Sequence, residues 1–450
     1  MRARQKRQRQ KCPRVVVVGA GFGGMQTAQS LAKSGAEVLL IDRNNYNTFV
    51  PLLYQVATAQ IEPEMIAYPL RTVLRRAKRT RFLQANVERV DFDNQVVEAD
   101  GARVSYDYLV MATGSRTQYL GVSGATESAF ALRTLEQAIA LRNHILRCFE
   151  LAEKETKPMR RRQLLTFTVV GGGPTGIEMA GALFEMKNAL RKDYPMLDME
   201  EVRIILVQSG DRLLRNLPSK LGYHAARKLS RLGVNVLFQT RVNRVSPQAV
   251  EFQDGACLPT ATVVWAAGLE GALPDTSVAL SAAAKQKVKV WPTLQLLEAE
   301  NVYAIGDLAY VQQNGKPLTG VAPEALQQGV AVARNIARQI KGKGPQPFRY
   351  LNKGRLAIVG GYGGVGKIGP VLLTGFLPWL MWLSVHLVYL PGFRSRLLVL
   401  LSWLHGYGLG DRAVRQVFAS SPVASRALSE KPISETPSEE QTLTNIVHLH

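Results

Sequence analysis

The chain has 450 residues and a mass of 49.5 kDa, which at roughly 150 residues per domain suggests about three domains, and its 46% apolar content excludes a disordered or fibrous class. Three dispersed cysteines (Cys12, Cys148, Cys257) and six scattered histidines offer no CxxC, no HExxH and no ligand cluster, so a disulfide framework and a metal site are not expected. The net charge of +21 stays strongly positive without the six cations of the first eleven residues, which favours anionic partners such as nucleotides or an anionic membrane surface; no nucleic-acid motif accompanies it, so nucleic acid is not an expected partner.

Residues 1–11, MRARQKRQRQK, read as a solvated, disordered basic leader. They lack the apolar core of a signal peptide, and secretion is not expected. A short apolar run from Arg14 to Val18 then meets Gly19-Ala-Gly21-Phe-Gly-Gly24. A helical pattern over Met25–Lys33 follows, then a second strand from Glu37 to Ile41 that ends at Asp42. Strand, glycine turn, helix, strand and acid form the βαβ dinucleotide fingerprint. In it Gly19 permits the tight turn, Gly21 lets a pyrophosphate approach the helix N-terminus, and Gly24 lets helix and strand pack closely. Asp42 is placed to accept hydrogen bonds from a ribose. The basic stretch from Arg71 to Arg81 reads as a solvated helix end, and 84–101 as strand and hairpin.

Tyr108 to Gly114 is an apolar strand stopping at small residues. Residues 150–162, charged and containing Pro158, read as a surface loop. The fingerprint then returns: a strand over Leu164–Val170, the turn Gly171-Gly-Gly173-Pro-Thr-Gly176, a helix from Ile177 to about Arg191, and a strand over Val202–Val207 ending at Gln208. With both glycine sets intact, two dinucleotides are expected. The residue at the second strand end is neutral. A glutamine there either weakens discrimination against a 2′-phosphate, admitting NADPH, or simply replaces the hydroxyl contact. Two further strand-to-glycine joints follow, Thr262–Gly268 and Asn301–Asp307, the latter placing a carboxylate where a ribityl hydroxyl needs an acceptor. A turn at 315–317 precedes a helix over Val321–Ile340 with Pro323 in its first turn.

From Ile368 to Phe393 no side chain carries a formal charge. Pro378, His386 and the Pro391-Gly392 break argue for a surface-lying anchor rather than a span, with Trp379, Trp382, Tyr389 and Trp403 at the interface and Arg394 and Arg396 meeting anionic headgroups. Helices packed against the body or a dimer partner are the soluble alternative. Residues 419–450, rich in Ser, Pro and Glu, read as a disordered tail.

Taken in order, these motifs resemble the flavoproteins with two dinucleotide-binding domains, and more closely the single-subunit, non-proton-pumping type II NADH:quinone oxidoreductases. The stretches that carry the likeness, over about residues 12–418, are Asn45–Ala57 with its Pro-Leu-Leu-Tyr-Gln, GGGPTGIE at 171–178, Asn301–Asp307, Gly320–Gly329 and the aromatic segment from Gly375 to Asp411. The resemblance implies an α/β fold of two Rossmann-like domains, glutathione-reductase-like, with a C-terminal membrane-associating region. Its division would be the leader at 1–11, an FAD-binding domain at 12–120 and 258–345, an NAD(P)H-binding domain at 121–257, a membrane-binding region at 346–418 and the tail at 419–450.

FAD would lie on Gly19, Gly21, Gly24 and Asp42, with Gly114 and Asp307 along it. NADH, or NADPH, would lie on Gly171, Gly173, Gly176 and Gln208. The resemblance further implies that Glu178 tunes charge or relays protons, that Gln328 and Glu324 meet a membrane quinone's headgroup, and that Tyr54 and Gln55 lie nearby. It implies a homodimer held peripherally, as a monotopic protein, on the cytoplasmic face of the cell membrane or an equivalent energy-transducing membrane.

Three departures stand out: Gln208 for the usual glutamate, Pro323-Glu324 for an Ala-Gln pair, and Asn47 where histidine is common. Isolated cysteines argue against a sulfide:quinone oxidoreductase, which needs redox cysteines by its flavin. A soluble flavoreductase serving a protein electron carrier and a non-enzymatic redox sensor are the competing functions. The first would not need the Trp-rich tail, and the second would be reduced by NADH without turning over quinone.

Overall fold

A computed structural model describes residues 12–417 except positions 33, 76 and 413. The expected basic leader, the expected disordered tail over 419–450 and Arg76 of the basic stretch lie outside the described residues. The chain forms two compact units: residues up to Asn47 with Tyr68–Arg116 and Leu269–Asn352, and Thr48–Ala67 with Thr117–Gly268 and the chain from Lys353 onward.

The first unit is built on a five-stranded parallel sheet. Its spatial order is Val302–Ala304, Tyr108–Met111, Arg14–Val18, Glu37–Asp42 and Thr80–Gln84. Val15, Val16 and Val17 are wholly buried, as a central parallel strand covered on both faces requires. The helix Phe22–Leu31 packs on the helix Ala322–Ile340, and Gly329 lets the two backbones touch at Gly23. In the basic stretch, the Arg71 guanidinium lies 5.2 Å over the Phe82 ring, and Arg79 donates to the Gly35 carbonyl.

The second unit repeats the design. Its parallel sheet runs Phe130–Ala131, Thr262–Trp265, Thr166–Val170, Arg203–Val207 and Val234–Leu237. In both sheets the strand before the glycine turn is central, with the acid or glutamine strand on one side and an apolar joint strand on the other. This pairing moves the expected boundary: Thr262–Trp265 pairs with Thr166–Val170, so a cut at 257/258 would take a strand from its sheet. Residues 48–67 likewise belong to the second unit.

The loop expected over 150–162 is helical instead. One helix runs Leu135–Lys154 and another Pro158–Leu164. Pro158 opens the second helix, where a missing N–H costs nothing, and Phe149, Ala152 and Arg160 are buried beneath the charged surface residues. The same proline logic starts the second glycine-turn helix at Pro174, three residues earlier than expected.

The chain from Lys353 adds an antiparallel sheet, Arg355–Gly360, Gly363–Ile368 and Val371–Gly375, and two helices, Phe376–Tyr389 and Phe393–Leu409. Gly181 and Gly360 let the second glycine-turn helix and the strand Arg355–Gly360 meet backbone to backbone. Among the described residues no helix is long and apolar enough to cross a membrane. The expected aromatic interface is corrected here. Trp379, Trp382 and Trp403 are buried, and of the four aromatics only Tyr389 is exposed. Each indole N–H needs an acceptor, and Gln55 and Glu178 beneath the helices supply two of them. The outward residues include Phe376, Leu380, Val388, Phe393, Leu401 and Leu404.

Candidate functional site

The two glycine turns have the same geometry. Gly19 and Gly171 have φ of +97° and +114°, a region open to glycine. Their N–H groups donate to Ile41 and Val207 carbonyls, both at 2.8 Å. A methyl group on Gly24 or Gly176 would fall onto the carbonyl oxygen of Gly19 or Gly171. Gly21 and Gly173 are the helix N-caps, neither cap is closed by a side chain, and nothing lies within 4 Å of where their Cβ would be. Each turn is therefore a bare helix N-terminus with room for a pyrophosphate.

The strand-end residues hold the turns from beside. Asp42 accepts from Ala20 N at 2.6 Å and from Asn44 N at 2.8 Å. Burial pushes its carboxyl up from the ordinary value, and those two hydrogen bonds oppose the rise. Gln208 Oε1 accepts from Gly172 N at 2.9 Å, the same contact one unit over, while its Nε2 donates to the Arg212 carbonyl at 3.3 Å. Asn47 is buried and donates to the Ala20 carbonyl at 2.6 Å, so it too serves the first turn. Gly114 has φ of +75° and open space beside it.

Asp307 accepts from Ser115 Oγ at 2.7 Å. Lys287 is drawn down by burial, with Asp307 and Glu324 opposing, so the three share one polar cluster. The Glu324 carboxylate accepts from Gly320 N at 2.8 Å and from Val321 N and Thr319, closing the start of its helix. Gln328 Oε1 accepts from Gly306 N at 2.6 Å. Gln328 thus braces the Gly306–Asp307 turn and Glu324 the Thr319–Val321 backbone, both within the first unit.

Glu178, Tyr54 and Gln55 come together in the second unit. Burial pushes the Glu178 carboxyl up to about 8, and the Ile358 N–H and the Trp382 indole draw it back only partly. Tyr54 packs edge-on to Trp382, with ring centroids 6.1 Å apart, and Gln55 Nε2 donates to its hydroxyl at 3.1 Å. Burial, then the charge of Glu178, holds the Tyr54 phenol well above its usual range.

The sequence motifs missed the partners of this cluster. Arg412, itself buried, pairs with the half-buried Glu185 at 3.1 Å and also reaches the Thr58 carbonyl. Tyr407 acts on both Tyr54 and Arg412. One signal was available: Arg412 follows the apolar stretch 397–410, and an arginine covered by the fold has to find a carboxylate. None of the three cysteines is joined in a disulfide; Cys148 is buried and its thiol is pushed up to about 12, which keeps it unreactive.

The chain is similar to known proteins over most of its length. Residues 13–329 match the family model of the pyridine nucleotide-disulphide oxidoreductases. The type II NADH:quinone oxidoreductase Ndh of Mycobacterium tuberculosis is 37% identical over 406 residues, covering 87% of each chain. The type II NADH:quinone oxidoreductase of Staphylococcus aureus is 29% identical over 372 residues, 80% of this chain and 91% of that one. The structure of NDH2 from Plasmodium falciparum in complex with NADH has the same fold, with a TM-score of 0.82 at 19% identity over 89% of this chain and 99% of that one. The family match spans both glycine turns and Glu178, and with 37% identity to Ndh over 87% of its length the chain belongs to the type II NADH:quinone oxidoreductases.

Proposed function

We propose that the protein oxidises NADH through a bound FAD and delivers the electrons to a membrane quinone. The observation that carries this reading is the doubled bare helix N-terminus, at Gly21 and at Gly173, in a chain that matches Ndh over most of its length. A bound flavin supplies the redox chemistry, accepting a hydride and releasing electrons. The chain's residues do the rest. Gly21 and the N-terminus of its helix receive the flavin's pyrophosphate, Asp42 its adenosine ribose, and Asp307 and Gly114 the remainder. Gly173 and Gln208 hold NADH. Glu178 holds a proton near neutral pH in a buried site, the condition of a general acid.

The testing experiment is steady-state NADH oxidation by the flavin-loaded protein with ubiquinone and menaquinone analogues. Fast quinone-dependent turnover is the expected result. Flavin reduction by NADH without quinone turnover would move the function to a protein electron acceptor or a sensor.

Gln208 supports some use of NADPH, because a neutral amide does not repel a 2′-phosphate. Gln208→Glu keeps the acceptor for Gly172 N and adds the charge. The expected outcome is a fall of about tenfold or more in kcat/KM for NADPH relative to NADH, a cost of about 1.4 kcal/mol, read from the two steady-state curves. An unchanged ratio would leave Gln208 as a hydroxyl contact only.

Membrane seating is supported by the exposed aliphatic residues of the two C-terminal helices and by Arg394 and Arg396, both exposed. The occupant proposed is an anionic lipid surface. Replacing Leu380, Val388 and Leu404 with Glu removes on the order of 2 kcal/mol of burial per side chain. Partition into phosphatidylglycerol vesicles, measured by co-sedimentation, should fall at least tenfold, while NADH still bleaches the flavin. Undiminished partition would place the membrane contact elsewhere.

A further inference from the structure

Trp403 was expected at a lipid interface, yet it is 3% exposed, and its indole N–H donates to Gln55 Oε1 at 2.8 Å. An indole N–H can only donate. The two ends of a side-chain amide are otherwise interchangeable in shape, so this donor fixes the orientation of the Gln55 amide. The amide oxygen turns to Trp403, and Nε2 turns to the Tyr54 hydroxyl, 3.1 Å away. The Tyr54 oxygen therefore accepts, which leaves its own hydrogen for a different acceptor. Among the described residues none takes it, and Glu178 acts on Tyr54 by charge alone. Gln55, Tyr54 and Trp403 are all at least nine-tenths buried, so solvent does not readily scramble the arrangement. Because the phenol is held well above its usual range, that hydrogen stays in place throughout the working pH range.

We propose that Trp403 is a positioning residue for quinone reduction: by orienting the Gln55 amide it reserves the Tyr54 O–H as a hydrogen-bond donor to the quinone carbonyl oxygen. This rests on the quinone reading above. A carbonyl oxygen gathers negative charge as the quinone takes up electrons. A donor already aimed at it stabilises the charged state more than the ground state. Without the indole the amide is free to turn over, its oxygen captures the Tyr54 hydrogen, and the donor is lost although Tyr54 remains.

The test uses the full-length, flavin-loaded protein and a short-chain ubiquinone analogue. Trp403→Phe keeps an apolar ring and removes the donor. Its kcat with quinone should fall on the order of tenfold, and Tyr54→Phe should fall on the order of a hundredfold. The double variant should be no slower than Tyr54→Phe alone, because Trp403 acts only through the Tyr54 hydrogen. Losses that multiply, or an unchanged Trp403→Phe, overturn the proposal. Anaerobic flavin bleaching by NADH in each variant separates a lost donor from a damaged fold.

Gln55→Glu gives a second arm that leaves Trp403 in place. At low pH its neutral carboxyl imitates the amide, accepting from Trp403 and donating to Tyr54. As pH rises the carboxylate takes the Tyr54 hydrogen, and quinone turnover should fall more steeply than in the wild type. A wild-type pH profile in Gln55→Glu also overturns the proposal. Wild-type protein that reduces its flavin but never turns over quinone defeats the quinone reading itself, whereas wild-type turnover with additive variants defeats only the role of Trp403.

Discussion

Gly24→Ala is expected to yield protein without flavin, and Gly176→Ala protein that keeps its flavin and no longer binds NADH. The clash is the same in both: the new methyl group falls onto the carbonyl oxygen of Gly19 or of Gly171. That oxygen has nowhere to go. Gly19 is held at φ of +97°, with the Ala112 carbonyl against its Cα and its own N–H bound to Ile41; Gly171 is held likewise by Ala266 and Val207. Relief therefore requires the helix to lift from its strand, which carries away the N-terminus that would bind phosphate. Absorbance near 450 nm of the purified protein reads the first result, with less than about a tenth of the wild-type flavin expected, in line with the loss of a close backbone approach. Flavin bleaching under an NADH titration reads the second, with no saturation at concentrations that saturate the wild type. Retention of both cofactors in either variant would show that the turn tolerates a side chain, and the dinucleotide assignment of that unit would fail.

The second large effect belongs to Glu178. Burial raises its carboxyl to about 8, so the folded protein keeps the proton well above the usual carboxylate range. A general acid works only while protonated. Quinone-dependent turnover should accordingly hold steady below pH 8 and decline above it, and Glu178→Gln should lose on the order of a hundredfold together with that alkaline limb.

Stability moves the other way. Below the unfolded-state value, about 4.3, the carboxyl is protonated in both states and has no effect on folding. Between there and pH 8 the unfolded chain releases the proton and the folded chain retains it. Each rise in pH therefore favours unfolding until the folded carboxyl ionises as well. Glu178→Gln removes that cost. Its Tm should exceed that of the wild type by several degrees at pH 9 and match it near pH 4, as differential scanning calorimetry can establish. A variant less active at every pH but no more stable at pH 9 would mean that Glu178 carries an ordinary carboxyl value. A variant altered only in Tm would leave it a packing residue.

Both nucleotide turns were legible because glycine spacing is set by backbone clashes that no other residue escapes. Gly19 and Gly24, and their counterparts Gly171 and Gly176, make the tight turn and the close helix packing their spacing dictates, and Gly21 and Gly173 stand at the helix N-caps. The tryptophans were misread for the opposite reason. Nothing local tells whether an indole in an apolar run faces lipid or core, since both surroundings are apolar; what decides is the N–H, and its acceptor on Gln55 is 348 residues away in sequence. The resemblance alone pointed Glu324 and Gln328 toward a quinone headgroup, and no local pattern showed the hydrogen bonds by which they brace Gly320 and Gly306. The helices over 150–162 were hidden because a charged surface face masks the buried Phe149 and Ala152 beneath it.

The chain changes unit five times between its described ends, and this interleaving governs how the protein is made. The first sheet lacks its edge strand until Val302–Ala304 emerges, long after its glycine turn at Gly19 has been made. At roughly 5–20 residues per second, that interval is roughly a quarter of a minute to a minute. The second unit waits longer, for Arg412 to neutralise Glu185. Cofactor loading therefore waits until Arg412 has emerged, and a ribosome stalled before it or a proteolytic nick releases neither unit as a working module.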